Sequence, residues 1–174
     1  SKAFNTNGWV ADTFVITART TNGVTAFVLE RGMPGFTIGK PDRKMGVHGS
    51  PTSTLYFDDV IVPLENMIGE EGTGFRKFAR TLDKGRVNVA SLSVGLAQAS
   101  YEAAVEYVQQ RTQFGKPIGA FQGIHMQIAE MATDIEAARL LTLNAARMYD
   151  AGMPIKKEVS IAKYFAAEAS LRVC

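Results

Sequence analysis

Few residues in this 174-residue chain stand in patterns that chemistry uses. Arg111 comes immediately before Thr112-Gln113-Phe114-Gly115, where a fixed guanidinium beside exposed amides suits a pyrophosphate, because its planar fork makes paired, charge-assisted hydrogen bonds to phosphate oxygens. The same residue, at the end of a long helical stretch, would equally complement a helix C-terminal dipole. Asp83 and Arg86 lie three residues apart on that stretch, placed either to clasp each other or to read a polar ligand. Phe4, Trp9 and Phe14 could flank a planar cofactor or fill a core.

Other patterns fall away. His48 and His125 have no Cys or carboxylate at ligand spacing, so no metal site is expected, and no G-x-S-x-G nucleophile turn is present. Gly69-Glu70-Glu71-Gly72-Thr73-Gly74 follows neither the dinucleotide nor the P-loop order of glycines, and its acids would repel phosphate. It reads as a linker from strand to helix, with Thr73 a candidate N-cap. Asp58-Asp59 cannot form a proton-sharing pair, since neighbouring strand residues face opposite sides, and they read as turn or edge acids.

Positioning these groups requires two kinds of element. The first 74 residues hold 10 of the 16 glycines, 4 of the 6 prolines and only 4 alanines; the last 100 hold 18 alanines. Thr13–Arg19 and Val24–Glu30 are β-branched and aromatic, with Asn22-Gly23 between them as a hairpin signal. Gly35–Lys40 and Ser53–Val62 predict further strands, and short turns between them imply an antiparallel sandwich or barrel. Then Val87, Ala90, Val94, Ala97, Tyr101, Ala104 and Val108 recur at spacings of three and four, as do Ile124, Ile128, Met131, Ile135, Ala138, Ala145 and Met148. These predict two long antiparallel helices broken at Thr112–Gly119, and a third begins at Ile155. The fold class expected is α+β: an antiparallel β-sandwich or barrel module over residues 1–70, followed over 71–174 by three helices of an incomplete antiparallel bundle.

The composition bounds the partners. With 19 basic and 17 acidic side chains the net charge is +2, giving no overall field that selects nucleic acid. Cys174 is the single cysteine, so neither a disulfide nor a cysteine metal site is expected. No apolar run reaches the roughly 18 residues of a membrane span.

In order along the chain, Lys2-Ala3-Phe4-Asn5-Thr6-Asn7-Gly8, Phe57-Asp58-Asp59-Val60-Ile61-Val62-Pro63, Asn66–Phe75, Leu82-Asp83-Lys84-Gly85-Arg86, Arg111–Ile118 and Phe121-Gln122 resemble segments of the acyl-CoA dehydrogenase family. The likeness covers essentially the whole chain. It implies FAD-dependent α,β-dehydrogenation of an acyl-CoA thioester. By resemblance, Phe4 covers a flavin ring face and Thr6 hydrogen-bonds near its N5; Trp is commoner at the position of Phe4, and Asn5 stands where Ile is usual. Arg111, Gln113, Phe114 and Gln122 correspond to pyrophosphate and adenosine contacts, donated to FAD held mainly by another subunit; Gln113 replaces a commoner Thr. Asp83 and Arg86 correspond to a substrate-binding pair beside the pantetheine and acyl chain. Gly85 stands where some relatives carry the catalytic Glu, so no catalytic residue is assigned here, and the base is expected in a Tyr-Glu-Gly-Thr loop outside these residues.

The resemblance further implies an internal part of a longer enzyme that does not turn over alone, a homodimer or homotetramer, and electron-transferring flavoprotein as acceptor. The compartment expected is the cytoplasm of a bacterium or the mitochondrial matrix of a eukaryote. Gly85–Ser91 is closer to short- and branched-chain relatives. Two other readings are an acyl-CoA oxidase or flavin monooxygenase-like relative, and a non-catalytic helical oligomerisation module.

Overall fold

Alternation of apolar and polar residues with a period of two builds the first layer of structure, and a computed structural model describes all 174 residues. It divides into two units, Ser1–Phe78 and Ala79–Cys174. In the first, β1 (Lys2–Thr6), β5 (Thr52–Phe57) and β4 (Phe36–Pro41) form one antiparallel sheet with β5 in the middle; β2 (Thr13–Thr20) and β3 (Gly23–Glu30) form a separate hairpin. Phe14, Ile16 and Leu29 of the hairpin meet Phe36 and Leu55 of the three-stranded sheet in one core, so the unit is a small two-sheet sandwich. Phe36 anchors it, edge-on to Phe14 at 5.0 Å and stacked on Phe57 at 5.3 Å. Pro41 sits on the edge strand, where its missing N–H costs no ladder bond.

Two strand expectations need correction. The hairpin turn is Thr21-Asn22, because Gly23 already pairs with Thr20; the left-handed residue is Gly23 itself, at φ 126°, and both loop residues keep negative φ. The fourth predicted strand stops at Phe57 rather than Val62, because Asp58 turns its N–H to Gly35 C=O and Asp59 takes φ 47°. Both aspartates therefore lie in a turn. The strand β1 was absent from the sequence reading altogether.

The Gly69–Gly74 linker lies flat on β3. Gly72 donates to the Thr25 hydroxyl at 2.9 Å, and the Glu71 carboxylate accepts from the Asn22 side chain at 2.7 Å and its backbone N–H at 3.3 Å. Thr73 turns its hydroxyl back to Glu70 C=O at 2.7 Å and not into the helix it was expected to cap. Hydrogen bonding from Thr20, then from the side chain and backbone of Asn22, holds the Glu71 carboxyl below the ordinary glutamate range. A depressed carboxyl adds stability that is complete above its unfolded pKa and lost as pH falls through the folded one. The stability difference between the natural chain and Glu71→Gln, read from urea midpoints, should therefore shrink as acid is added through that window. A difference independent of pH would contradict it.

The stripes at spacings of three and four give α1 (Gly74–Gln110) and α2 (Gln122–Asp150), and α3 (Lys156–Val173) follows. The first five residues of α1 count with the first unit. Every residue of the two predicted stripes is buried or half-buried. Ala90 and Val94 pack with Ala138, Ala145, Val159, Ala162 and Ala166 in an alanine-lined core that lets the helices approach closely, and Ala97, Ile135 and Val173 form a smaller cluster beside it. Gly152, at φ 69°, ends α2. No helix is long and apolar enough to cross a membrane.

Candidate functional site

In the first unit the site candidates are carried by an irregular strand. Between the pairs Lys2↔Leu55 and Asn5↔Ser53, β1 spends one residue more than β5, so the strand bulges. Phe4 takes up the slack at φ 55°, and the residue is 78% exposed. An aromatic residue in the left-handed region costs roughly 1–2 kcal/mol. Thr6 is also exposed, and its hydroxyl bonds to nothing in the chain. The turn that follows is held firmly: Asn7 donates to Pro51 C=O at 2.7 Å, and the Arg31 guanidinium gathers the carbonyls of Gly8, Trp9 and Ala11. Of the three aromatics read as alternatives for a ring site or a core, Phe14 is buried in the sandwich, whereas Phe4 and the half-exposed Trp9 face outward.

In the second unit, α1 ends at Gln110 and the backbone of Arg111 is fixed at once, its N–H on Tyr107 C=O at 2.9 Å and its C=O accepting from Ile118 N–H at 2.8 Å. What read as a simple break is a miniature hairpin, β6 (Thr112–Gln113) and β7 (Lys116–Pro117), turned by Phe114 at φ 50° and Gly115 at φ 79°. Two left-handed central residues make a type I′ turn, which favours Asn-Gly and here strains a phenylalanine. Phe114 is 92% exposed and meets only the edge of Phe121, 6.1 Å away. The ring recovers little of that strain in packing. Gly119 lets the chain pass close beneath, since a Cβ there would crowd Val108 at 3.2 Å. Gln122 then opens α2, whose N-terminus has neither a capping side chain nor an acid in its first turn. The side chains of Arg111, Gln113 and Gln122 are exposed and make no hydrogen bond or ion pair within the chain.

Asp83 and Arg86 do clasp each other, Nη1 to Oδ1 at 2.7 Å. Gly85 beside them opens onto free space, with nothing beyond the backbone of its own helix within 4 Å of a would-be Cβ. It shares a face of α1 with the exposed Leu82, Val89, Leu92 and Leu96, at spacings alternating between three and four. This second apolar track was missed in the sequence reading, although the sevenfold repeat Leu82, Val89, Leu96 was there to find. Arg111 stands 25 residues beyond Arg86, about 37 Å along a straight α-helix. The structure thus groups Arg111, Gln113, Phe114 and Gln122 together and keeps Asp83 and Arg86 apart from them.

Residues 72–174 match the model of the acyl-CoA dehydrogenase C-terminal domain, and residues 1–60 match that of the acyl-CoA dehydrogenase middle domain. The chain belongs to the acyl-CoA dehydrogenase family. Among its relatives is the short-chain-specific acyl-CoA dehydrogenase of Megasphaera elsdenii, 48% identical over 178 residues, covering 99% of this chain and 46% of the relative. The solved butyryl-CoA dehydrogenase from Megasphaera elsdenii superposes with a TM-score of 0.94 at 48% identity, over 99% of this chain and 46% of that one. A structure described as PigA with FAD and proline superposes equally well, with a TM-score of 0.94 at 31% identity, over 97% and 45%. The chain therefore spans a little under half the length of the family members it matches.

The residues fit the FAD that the family implies. A guanidinium, two unpartnered amides and an uncapped helix N-terminus form a donor set of the kind a pyrophosphate requires. An exposed aromatic beside a free hydroxyl, on a backbone tied down on both sides, suits the face and edge of a planar ring.

Proposed function

We propose that the protein carrying these residues is an FAD-dependent acyl-CoA dehydrogenase acting on short or branched acyl chains. The observation that carries this reading is the cluster at the start of α2, where Arg111, Gln113 and Gln122 present unpartnered donors around a strained, exposed Phe114. Arg111 and the amides would hold the pyrophosphate and adenosine, while Phe4 and Thr6 would meet the flavin ring. When bound, FAD supplies the acceptor for the β-hydrogen as hydride. Asp83 and Arg86, locked to each other, orient the pantetheine arm beside the thioester. The apolar track of Leu82, Val89 and Leu92 lies against the acyl chain, and Gly85 leaves it room. Gly85 offers no carboxylate and Asp83 is committed to Arg86, and in this reading the α-proton goes to the base that the family resemblance places outside these residues.

The separation of about 37 Å between the pair on α1 and the cluster just beyond its end bears on a further point. By the family resemblance the Arg111 cluster serves FAD bound mainly by a second copy, in a homodimer or homotetramer, and its distance from Asp83 and Arg86 agrees with that. Electron-transferring flavoprotein is the acceptor in this reading, in a bacterial cytoplasm or a mitochondrial matrix.

The full-length protein should purify yellow, and butyryl-CoA should bleach the flavin without air, with slow recovery once air is admitted. Rapid recovery would favour an oxygen-using relative. A colourless protein that refuses FAD would overturn the reading, and a preference for chains beyond about C12 would overturn its substrate class, given that each buried methylene adds about 0.8 kcal/mol to binding.

A further inference from the structure

Asn5, between Phe4 and Thr6 on β1, has no role in the proposed function, and the geometry gives it one. Its side-chain amide Nδ2 donates to Lys2 C=O at 2.6 Å, along the same strand, and to Ser53 C=O at 3.2 Å, across to β5. The first bond spans the bulge from one side to the other. The second nails it to the central strand of the sheet. Phe4 lies between the two residues so joined, and its left-handed backbone is the strained element of the bulge. The bond from Gly8 N–H to Asn5 C=O at 3.1 Å extends the brace through Thr6 and Asn7. A Cβ on Gly8 would press the same carbonyl at 3.2 Å, so the backbone there cannot slide.

We propose that Asn5 is a positioning residue for the flavin site: its carboxamide cross-braces the bulge and so fixes the ring of Phe4 and the hydroxyl of Thr6 in the attitude in which they meet the flavin. The proposal rests on the reading of Phe4 and Thr6 as flavin contacts. Its amide is spent on these two carbonyls. Its two bonds oppose the tendency of β1 to relax into a regular strand, which would return Phe4 to negative φ and shift every side chain before it to the other face. An Ile here, the residue usual in the family, makes neither bond and leaves this bulge to the strand ladder alone. An acidic residue would set a carboxylate against two carbonyl oxygens.

The test uses the full-length protein with Asn5→Ile, which fills similar space and favours a strand while removing both donations, and Asn5→Asp, which keeps shape while reversing the donor. Readouts are FAD dissociation by titration of the apoprotein, the position and shape of the visible flavin bands, and amide hydrogen exchange over residues 3–7. FAD should bind about ten-fold more weakly in Asn5→Ile, as expected for the loss of a bond or two that preorganise the site. The flavin bands should shift in both variants, and exchange at Phe4 to Thr6 should quicken. A variant that folds, binds FAD as tightly as the natural protein and shows unchanged bands overturns the proposal; should Asn5→Ile not fold, Asn5→Asp decides by the same bands. If the natural protein itself takes no FAD, the proposed function fails and this role falls with it. A yellow natural protein with indistinguishable variants sinks the role of Asn5 alone.

Discussion

Replacing Arg111 with alanine in the full-length protein should weaken FAD binding about 100-fold while leaving the fold almost untouched. The guanidinium spends nothing on its own chain: it is exposed and makes no ion pair or hydrogen bond, while the backbone it stands on is fixed by Tyr107 and Ile118. Two charge-assisted hydrogen bonds to a phosphate contribute roughly 1.5–3 kcal/mol each, so their loss together reaches the 2.7 kcal/mol that corresponds to about two decades in affinity. Arg111→Lys keeps the charge and loses the fork, and should fall between, about ten-fold weaker. The competing role, complementing the C-terminal dipole of α1, makes the opposite pattern: lysine would serve as well as arginine, stability would drop by about 0.3–1 kcal/mol on removal of the charge, and FAD would be unaffected. Titration of the apoprotein with FAD, paired with urea unfolding of the same variants, separates the two. A natural-like affinity in Arg111→Ala would remove the cluster at the start of α2 from the site.

Much of the frame that carries Arg111 is legible without coordinates, because it depends on patterns within one segment. The two inward stripes of α1 and α2 are regular enough that all fourteen residues lie toward the core. What escaped depends on contacts between segments, or on pieces shorter than any period. Lys2–Thr6 shows no alternation because a bulge interrupts it, and it becomes a strand only by pairing with Thr52–Leu55. The hairpin of Thr112–Pro117 has strands of two residues, and Phe-Gly is not a turn signal of the Asn-Gly kind. Ser53–Val62 looked like one strand since nothing in Phe57-Asp58-Asp59-Val60 announces the left-handed Asp59. The same division runs through the site. Asp83 and Arg86 meet because helical spacing brings them together, which the sequence states outright. Asn5 looked like a mere departure from a family pattern, and its partner carbonyl on Ser53 is 48 residues away.

The opposite consequences of adding one methyl group to two glycines of the same helix make the strongest test of how α1 is mounted. Gly74, its first residue, is buried against β3: a Cβ there would stand 2.6 Å from Ala26 N and 2.7 Å from Thr25 C, both backbone atoms that cannot turn aside. Thr25 is itself wholly buried and already accepts from Gly72, and the linker pairs Thr73 with Val24, so yielding would mean lifting the linker off the strand. Gly74→Ala should cost the first unit about 3 kcal/mol, at the upper end of what overpacking costs, because the clash is with main chain and not with a flexible side chain. Gly95 lies in the middle of α1 with open space about it and ordinary helical backbone. Gly95→Ala should therefore stabilise by roughly 0.5–1 kcal/mol, the ordinary gain of alanine over glycine in a helix. Urea unfolding of both variants reads the two signs directly. If Gly74→Ala unfolds like the natural protein, the start of α1 does not rest on β3 and the linker is a loose tether; if Gly95→Ala destabilises, the open face of α1 is covered in the full-length protein by something that needs the glycine.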